Sequence, residues 1–265
     1  AEAVGLLGMA GYLSGRRILG LCACGLAMLF HPIMGLCAAA VIGLAVALED
    51  RRWLWAGLAA LGVFTFAGLL RLPLADRIVT VMDPAWRAIV ETRSPILFPS
   101  LWSAETWGRI AVQACTLAAA ASLLTGAPRR LALAALAAGL AGVAAAALLG
   151  DRFSLLLFLQ AQTWRTLEPM AVLSAISLAL VCIAAPRRGA AGLIGLAFLG
   201  MGWMFRNIGD LGLLAGPIGL VFWLLADRAR LSRPRLYGAI AVGVLGVALL
   251  SYAALRTFAL GQTLA

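Results

Sequence analysis

Long apolar runs, each closed by a short polar break, recur along the whole chain. A run of about 20 apolar residues wound as a helix crosses a hydrocarbon layer about 30 Å thick. On that measure the runs predict spans at 18–48, 53–70, 109–126, 131–149, 168–185, 190–206, 211–226 and 236–255, with 1–14 as the remnant of an earlier helix. The runs are continuous in Ala, Leu, Val and Gly and lack the period-two alternation of a membrane barrel, so helices are expected. The many small residues let helix backbones approach closely, which is how helices associate when lipid removes the hydrophobic drive between them. The fold class expected is therefore all-α: a polytopic integral membrane helix bundle of about eight spans plus short half-helices. Residues 1–265 read as a single transmembrane domain. The start "AEAVGLLGMAGYLSGRR" lacks an initiator methionine and a basic leader region, which reads as the later part of a longer chain.

Three interruptions stand out. The 18–48 run carries "HP" at its middle; proline removes a backbone donor and disfavours helical geometry before it, so His31 and Pro32 mark a kink or the tip of two half-helices. The segment 71–108, "RLPLADRIVTVMDPAWRAIVETRSPILFPSLWSAETWG", is the one long polar stretch, and a loop of that length in an otherwise economical chain points to function. Between two of the most apolar runs, "QAQTWRTLE" at 160–168 places groups that hydrogen-bond or stack where a helix could have continued.

Composition narrows the class. With 63% hydrophobic residues, 12% charged and a mean hydropathy of +1.01, an ordinary soluble domain is excluded. The formal charge of +10 would invite nucleic acid in a soluble protein, but the 21 basic residues, all arginine, fall in short clusters between apolar runs, which is a topological pattern. The clusters are "EDRR" at 49–52, "PRR" within 127–130, "PRR" at 186–188 and "DRARLSRPR" at 227–235. Counting spans puts all four on one side, the cytoplasm by the positive-inside rule, provided 151–167 is a loop or a half-helix excursion. A multi-pass membrane protein results, with 71–108, 151–167 and "RNIGD" at 206–210 outside. The same parity favours a hairpin for 18–48, with Arg16 and Arg17 on the side of "EDRR". The five cysteines (Cys22, Cys24, Cys37, Cys115, Cys182) lie in apolar runs and read as small buried hydrophobes; the spacing of Cys22 and Cys24 is not that of a metal site.

The outer segments supply the candidate chemistry. Arg87 and Arg93 in "DPAWRAIVETRSP" and Arg165 in "QTWR" can fork onto phosphate oxygens. Trp86 and Trp164 offer faces for a sugar ring or an isoprene, and Asp83 and Glu91 are carboxylates able to accept a proton. Gln160, Gln162, Trp164 and Arg165 gather at the end of a half-helix at 153–162, where polar groups need a cavity or a ligand. His31, the only histidine, stands at apparent membrane depth as a candidate contact or as a packed, hydrogen-bonded residue. Each element also has a plainer reading. Trp102, Trp107 and Trp164 suit an interfacial aromatic belt, and Asp76 with Arg77 or Asp151 with Arg152 suit solvated helix-end charges or local ion pairs. No phosphate-binding loop, zinc helix or nucleophile elbow is present.

An apolar run carrying "FHP", then "RRWLW", then "MDPAWRAIVETRSPILFPSLWS" and "LLLFLQAQTWR" together resemble bacterial multi-span proteins similar to GT-C glycosyltransferases, over residues 15–185. The resemblance implies an enzyme of cell-envelope polysaccharide assembly that uses a polyprenyl-phosphate-linked sugar at the outer membrane face. In that scheme an upstream acid, or Asp83 or Glu91, activates the acceptor. Arg87, Arg93 and Arg165 hold the departing phosphate, and Trp86 and Trp164 stack on sugar or isoprene. A divalent metal is compatible with this chemistry, but no ligand set specifies one. The alternatives are a transporter or flippase for a lipid-linked or anionic substrate, and a non-catalytic subunit of a membrane complex. The expected partners are a lipid-linked sugar or other anionic lipid and the membrane itself, not nucleic acid.

Overall fold

The computed structural model describes residues 1–73, 75–208 and 211–228. The expected span at 236–255, Asp210 and most of the last arginine cluster lie outside them. Eleven α-helices form among the described residues: α1 (Glu2–Leu13), α2 (Arg17–Phe30), α3 (Pro32–Glu49), α4 (Arg51–Leu69), α5 (Pro84–Arg93), α6 (Ala104–Leu123), α7 (Gly126–Ala145), α8 (Leu156–Ala161), α9 (Leu167–Ala184), α10 (Gly189–Met204) and α11 (Leu211–Arg228). Their only β-pairing is one isolated antiparallel bridge, so the chain is all-α as expected. Four segments are long and apolar enough to cross a membrane: Pro32–Glu49, Arg51–Leu69, Gly126–Arg152 and Leu156–Met204. Helices α1, α2 and α11 are apolar but shorter.

The chain forms two compact units, one of Ala1–Trp102 and Leu124–Met170, the other of Ser103–Leu123 and Ala171–Ala265. In the first unit, α2 and α3 form the hairpin that Pro32 suggests. His31 is extended (φ −155°, ψ 98°) and caps α3, its Nδ1 accepting from the Met34 backbone N–H at 3.3 Å. The two helices can close because residue 35 is glycine: a Cβ there would lie 2.4 Å from the Met28 nitrogen. At the far end of the hairpin Arg17 meets Glu49 at 2.5 Å, and Glu49 also faces Arg130 of α7 at 3.3 Å. The start of α2, the "EDRR" turn and the start of α7 therefore share one end of this unit, as the span count requires.

Asp50 starts α4 by accepting the Arg52 N–H at 3.0 Å. From there α4 and α7 both run away from the arginine end, so the chain between α4 and α5 and the chain after α7 emerge together at the opposite end. Little of α4 is covered: Gly68 is its one buried residue. Its apolar side chains, including Trp53 (61% exposed) and Trp55 (69% exposed), are left uncovered by the described residues.

Helix α7 is longer than its apolar run suggests. Its last turn widens into a π-helix over Ala146–Arg152. Such turns occur mostly as single insertions and often at functional sites; here the insertion turns Asp151 into the interior, where it is 6% exposed.

The second unit packs around Trp223, which is fully buried among Ala119, Ala120, Val181, Ala185 and Leu199. The indole N–H of Trp223 bonds the Ala119 carbonyl and Ser122 Oγ, both at 3.1 Å, and the Arg188 guanidinium lies 4.4 Å from its ring centre. The one polar group of this large side chain, its indole N–H, is satisfied, which is what permits its burial. Two cysteines depart from expectation: Cys22 and Cys182 are exposed on their helices, whereas Cys24 and Cys37 are buried.

Candidate functional site

At the loop end of the first unit, residues 75–102 and 146–168 fold into a cap. An antiparallel bridge between Val81 and Leu155 holds the two strips, with the Met82 N–H donating to the Ser154 carbonyl and the Leu156 N–H to the Thr80 carbonyl, both at 2.8 Å. Beneath it Met82, Phe98 and Leu159 make a small buried core, with Val90, Leu97 and Leu156 packed against it. The two outer segments predicted to converge do so. The expected third partner, Arg206 with its neighbours, belongs to the second unit, where its guanidinium lies 5.4 Å from the Trp203 ring centre.

Arg87 locks the cap. Its Nε donates to Glu91 Oε1 at 2.6 Å, its Nη1 to the Asp151 carbonyl at 2.7 Å and to Ser154 Oγ, and its Nη2 to Asp151 Oδ1 at 3.1 Å. The guanidinium also lies 5.3 Å from the centre of the Phe98 ring. The other oxygen of Asp151 accepts the Ser100 N–H at 2.8 Å. A planar fork can satisfy a buried carboxylate, a carbonyl and a hydroxyl together, which a lysine cannot do. All three nitrogens of Arg87 thus bind protein, so its contribution is to clamp the loops. The local pairs suggested by sequence do not form: Asp151 pairs with Arg87 across 64 residues, and Arg77 donates to Gln160 at 3.2 Å.

The other predicted residues divide in two. On α5, Asp83 accepts the Ala85 and Trp86 N–H groups at 3.0 and 3.1 Å and starts the helix, while Pro84 supplies its first turn. Glu91 is tied to Arg87, and Trp86 and Arg93 project as exposed side chains. His31 sits in the α2–α3 turn as a helix cap.

The second group lies in a tight 3-10 turn, Thr163–Thr166, that joins α8 to α9. Gln162, entering it, has a left-handed backbone (φ 47°, ψ 54°), uncommon for a side chain larger than glycine. Its Oε1 accepts from Arg165 Nε at 2.5 Å. The turn is seated on α7 at Gly142, whose carbonyl accepts from Thr163 Oγ1 at 2.9 Å. Only glycine fits there: a Cβ would stand 1.9 Å from Thr166 Oγ1 and 2.3 Å from the Thr163 carbonyl oxygen.

Trp164 closes the site. Its ring meets Trp102 edge to face, centres 6.3 Å apart and planes at 84°, and the Arg165 guanidinium lies 5.0 Å from it. Its indole N–H is buried and has no hydrogen-bond partner; among the described residues it is the one such side-chain atom. Arg165 also faces Glu168, more loosely, at 3.9 Å, which leaves its Nη2 without a protein partner among the described residues. The arrangement offers an unmatched indole N–H and, over the face of the same ring, a half-buried guanidinium. Among the described residues no three His, Cys, Asp or Glu side chains gather as a metal site.

The Gly142 seat, the left-handed Gln162 and the Asp151–Arg87 clamp were not foreseen. Compared with known proteins, the chain matches no family model, no curated protein and no solved structure.

Proposed function

We propose that the protein is a membrane glycosyltransferase of the polyprenyl-phosphate-dependent kind, multi-pass in the bacterial cytoplasmic membrane, with its loop cap on the outer face. The observation that carries this reading is the buried, unpartnered indole N–H of Trp164 beside the Arg165 guanidinium. A buried donor left unmatched costs about 1–3 kcal/mol, and one held beside a strained turn is a place where a ligand oxygen completes the structure. A phosphate oxygen of the lipid carrier meets both groups, and the apolar helices below accept its isoprene chain. In the transfer step the bond between the sugar carbon and the phosphate oxygen breaks, and the electron pair stays on the phosphate. The acceptor hydroxyl forms the new bond and yields its proton to a carboxylate of α5, Asp83 or Glu91. Arg165 and the Trp164 N–H then stabilise the charge gained by the leaving phosphate, which is where preorganised donors contribute most.

The test separates a ligand donor from a packing residue. Trp164→Phe removes the unmatched N–H while retaining most of the ring, so its thermal midpoint in detergent should equal or exceed that of the wild type. Its affinity for a polyprenyl monophosphate, measured by calorimetry, should fall by about 10-fold or more, the value of one hydrogen bond to a charged group. Undiminished affinity in Trp164→Phe would remove this site as the carrier's phosphate contact.

A further inference from the structure

The first unit also carries a cleft toward its arginine end. Between α2, α3 and α4 lies a cleft of about 660 Å³, lined almost wholly by aliphatic side chains and backbone, with Tyr12, Arg17, Leu21, Gly43, Trp53 and Gly57 on its walls. That volume is within the roughly 300–1,000 Å³ range of sites that bury a small ligand. Its α4 wall is Trp53, Leu54, Ala56, Gly57, Leu58 and Leu61, on a helix long and apolar enough to cross a membrane. The floor is shaped by absence of side chains: at Gly43 and at Gly57 nothing approaches within 4 Å of where a Cβ would stand.

Arg17 brings the cleft to the arginine end of the unit, where the charges leave an excess of one sign. Arg16, Arg17, Arg51, Arg52, Arg129 and Arg130 gather at this end of the unit against Glu49 and Asp50. Glu49 is already matched by Arg17 and Arg130, and Asp50 caps α4. The excess is therefore cationic. Trp53 lies two residues beyond Arg51 and is 61% exposed, the placement of an indole at headgroup level. An aliphatic cleft between apolar helices that ends at Arg17 and Trp53, at the arginine end of the unit, matches one chemistry, a chain of hydrocarbon below an anionic headgroup.

We infer that this cleft is a binding site for an anionic phospholipid of the leaflet at the arginine end, with one acyl chain between α3 and α4 and the phosphate under Arg17 and the "EDRR" turn. The site is separate from the cap and does not depend on the glycosyl-transfer reading. The lipid fills the space that the bare faces of Gly43 and Gly57 leave, and it supplies α4 with contacts that the protein itself does not.

Gly43→Phe tests it, since nothing stands within 4 Å of where the new Cβ would be and the ring takes up cleft space, and a helical glycine replaced by a larger residue does not weaken the helix. Gly25→Phe is the control: its Cβ also stands in open space, but Gly25 is not on the cleft wall. The probe is phosphatidylglycerol against phosphatidylcholine, presented in mixed nanodiscs, with the lipid retained after detergent extraction counted by native mass spectrometry. The wild type and Gly25→Phe should each retain one phosphatidylglycerol with at least about 10-fold preference over phosphatidylcholine, equivalent to 1.4 kcal/mol. Gly43→Phe should lose that retention by a similar factor while keeping its thermal midpoint in detergent. Equal retention by Gly43→Phe and wild type overturns the inference. So does equal retention of the two lipids, which describes ordinary boundary lipid, or a cleft closed by a second copy of the chain and seen as a dimer without lipid.

Discussion

Arg87→Ala should loosen the loop cap by about 3 kcal/mol, the lower end of what breaking a buried ion pair costs, because the Arg87 side chain remains 28% exposed. The loss comes less from the missing attraction than from what it leaves behind. Asp151, 6% exposed, would keep only the Ser100 N–H, and its own carbonyl and the Ser154 hydroxyl would lose their donor. Amide hydrogen exchange over 80–102 and 149–160 should therefore quicken by about 100-fold, the kinetic counterpart of that energy when the cap opens locally. Arg87→Lys keeps the charge but not the fork, and should lie between the two. The double variant Arg87→Ala with Asp151→Ala removes the stranded carboxylate, so it should be less destabilised than the sum of the single changes by about 1–2 kcal/mol. Strict additivity would mean that the two residues are not coupled.

Gly142→Ala should have the larger effect on ligand. Its Cβ would overlap Thr166 Oγ1 and press on the Thr163 carbonyl, so the turn that carries Trp164 and Arg165 must lift from α7. Overpacking of this kind costs about 1–3 kcal/mol. Binding should suffer more than stability: misplacing both donors should weaken the affinity for polyprenyl monophosphate by about 100-fold, since two hydrogen bonds to a charged group are lost together. Adding Thr166→Ala removes the closer of the two clashes. Partial recovery is expected, because the contact with the Thr163 carbonyl is with backbone and persists.

The division between what could and could not be read beforehand follows the range of the forces involved. Helices α4, α7, α9, α10 and α11 lie within a few residues of the apolar runs that predict them, because lipid burial acts on each segment by its own composition. The turn at His31 was legible for the same reason: proline imposes its geometry on the next-door residue. The start of α6 was misplaced within 71–108. Ser103 followed by Glu105 and Thr106 carried a capping signal, and the Thr106 N–H does reach Ser103 Oγ, at 3.4 Å, but the polar tone of the segment obscured it. Arg87 with Asp151 could not be found by spacing. The two are 64 residues apart, and Arg152, next to Asp151, offered a nearer partner that the π-wound end of α7 turns away. Gly142 was hidden as one glycine among 29, its meaning set entirely by a turn 21 residues later. Composition foretold that polar residues at 160–168 would gather. It did not foretell that one of them, the Trp164 indole, would be left unmatched.

The proposed function requires the loop cap and the arginine end to face opposite sides of the membrane, and labelling measures that most directly. Single cysteines at Arg93 and Arg152, both exposed on the cap, and at Arg52, at the other end, can be introduced after the five native cysteines are replaced. In intact cells a membrane-impermeant maleimide should modify the cysteines at 93 and 152 and spare the one at 52, which should react only once the cells are opened. Labelling of 93 and 152 from opposite sides, or of 52 together with them, would contradict the account.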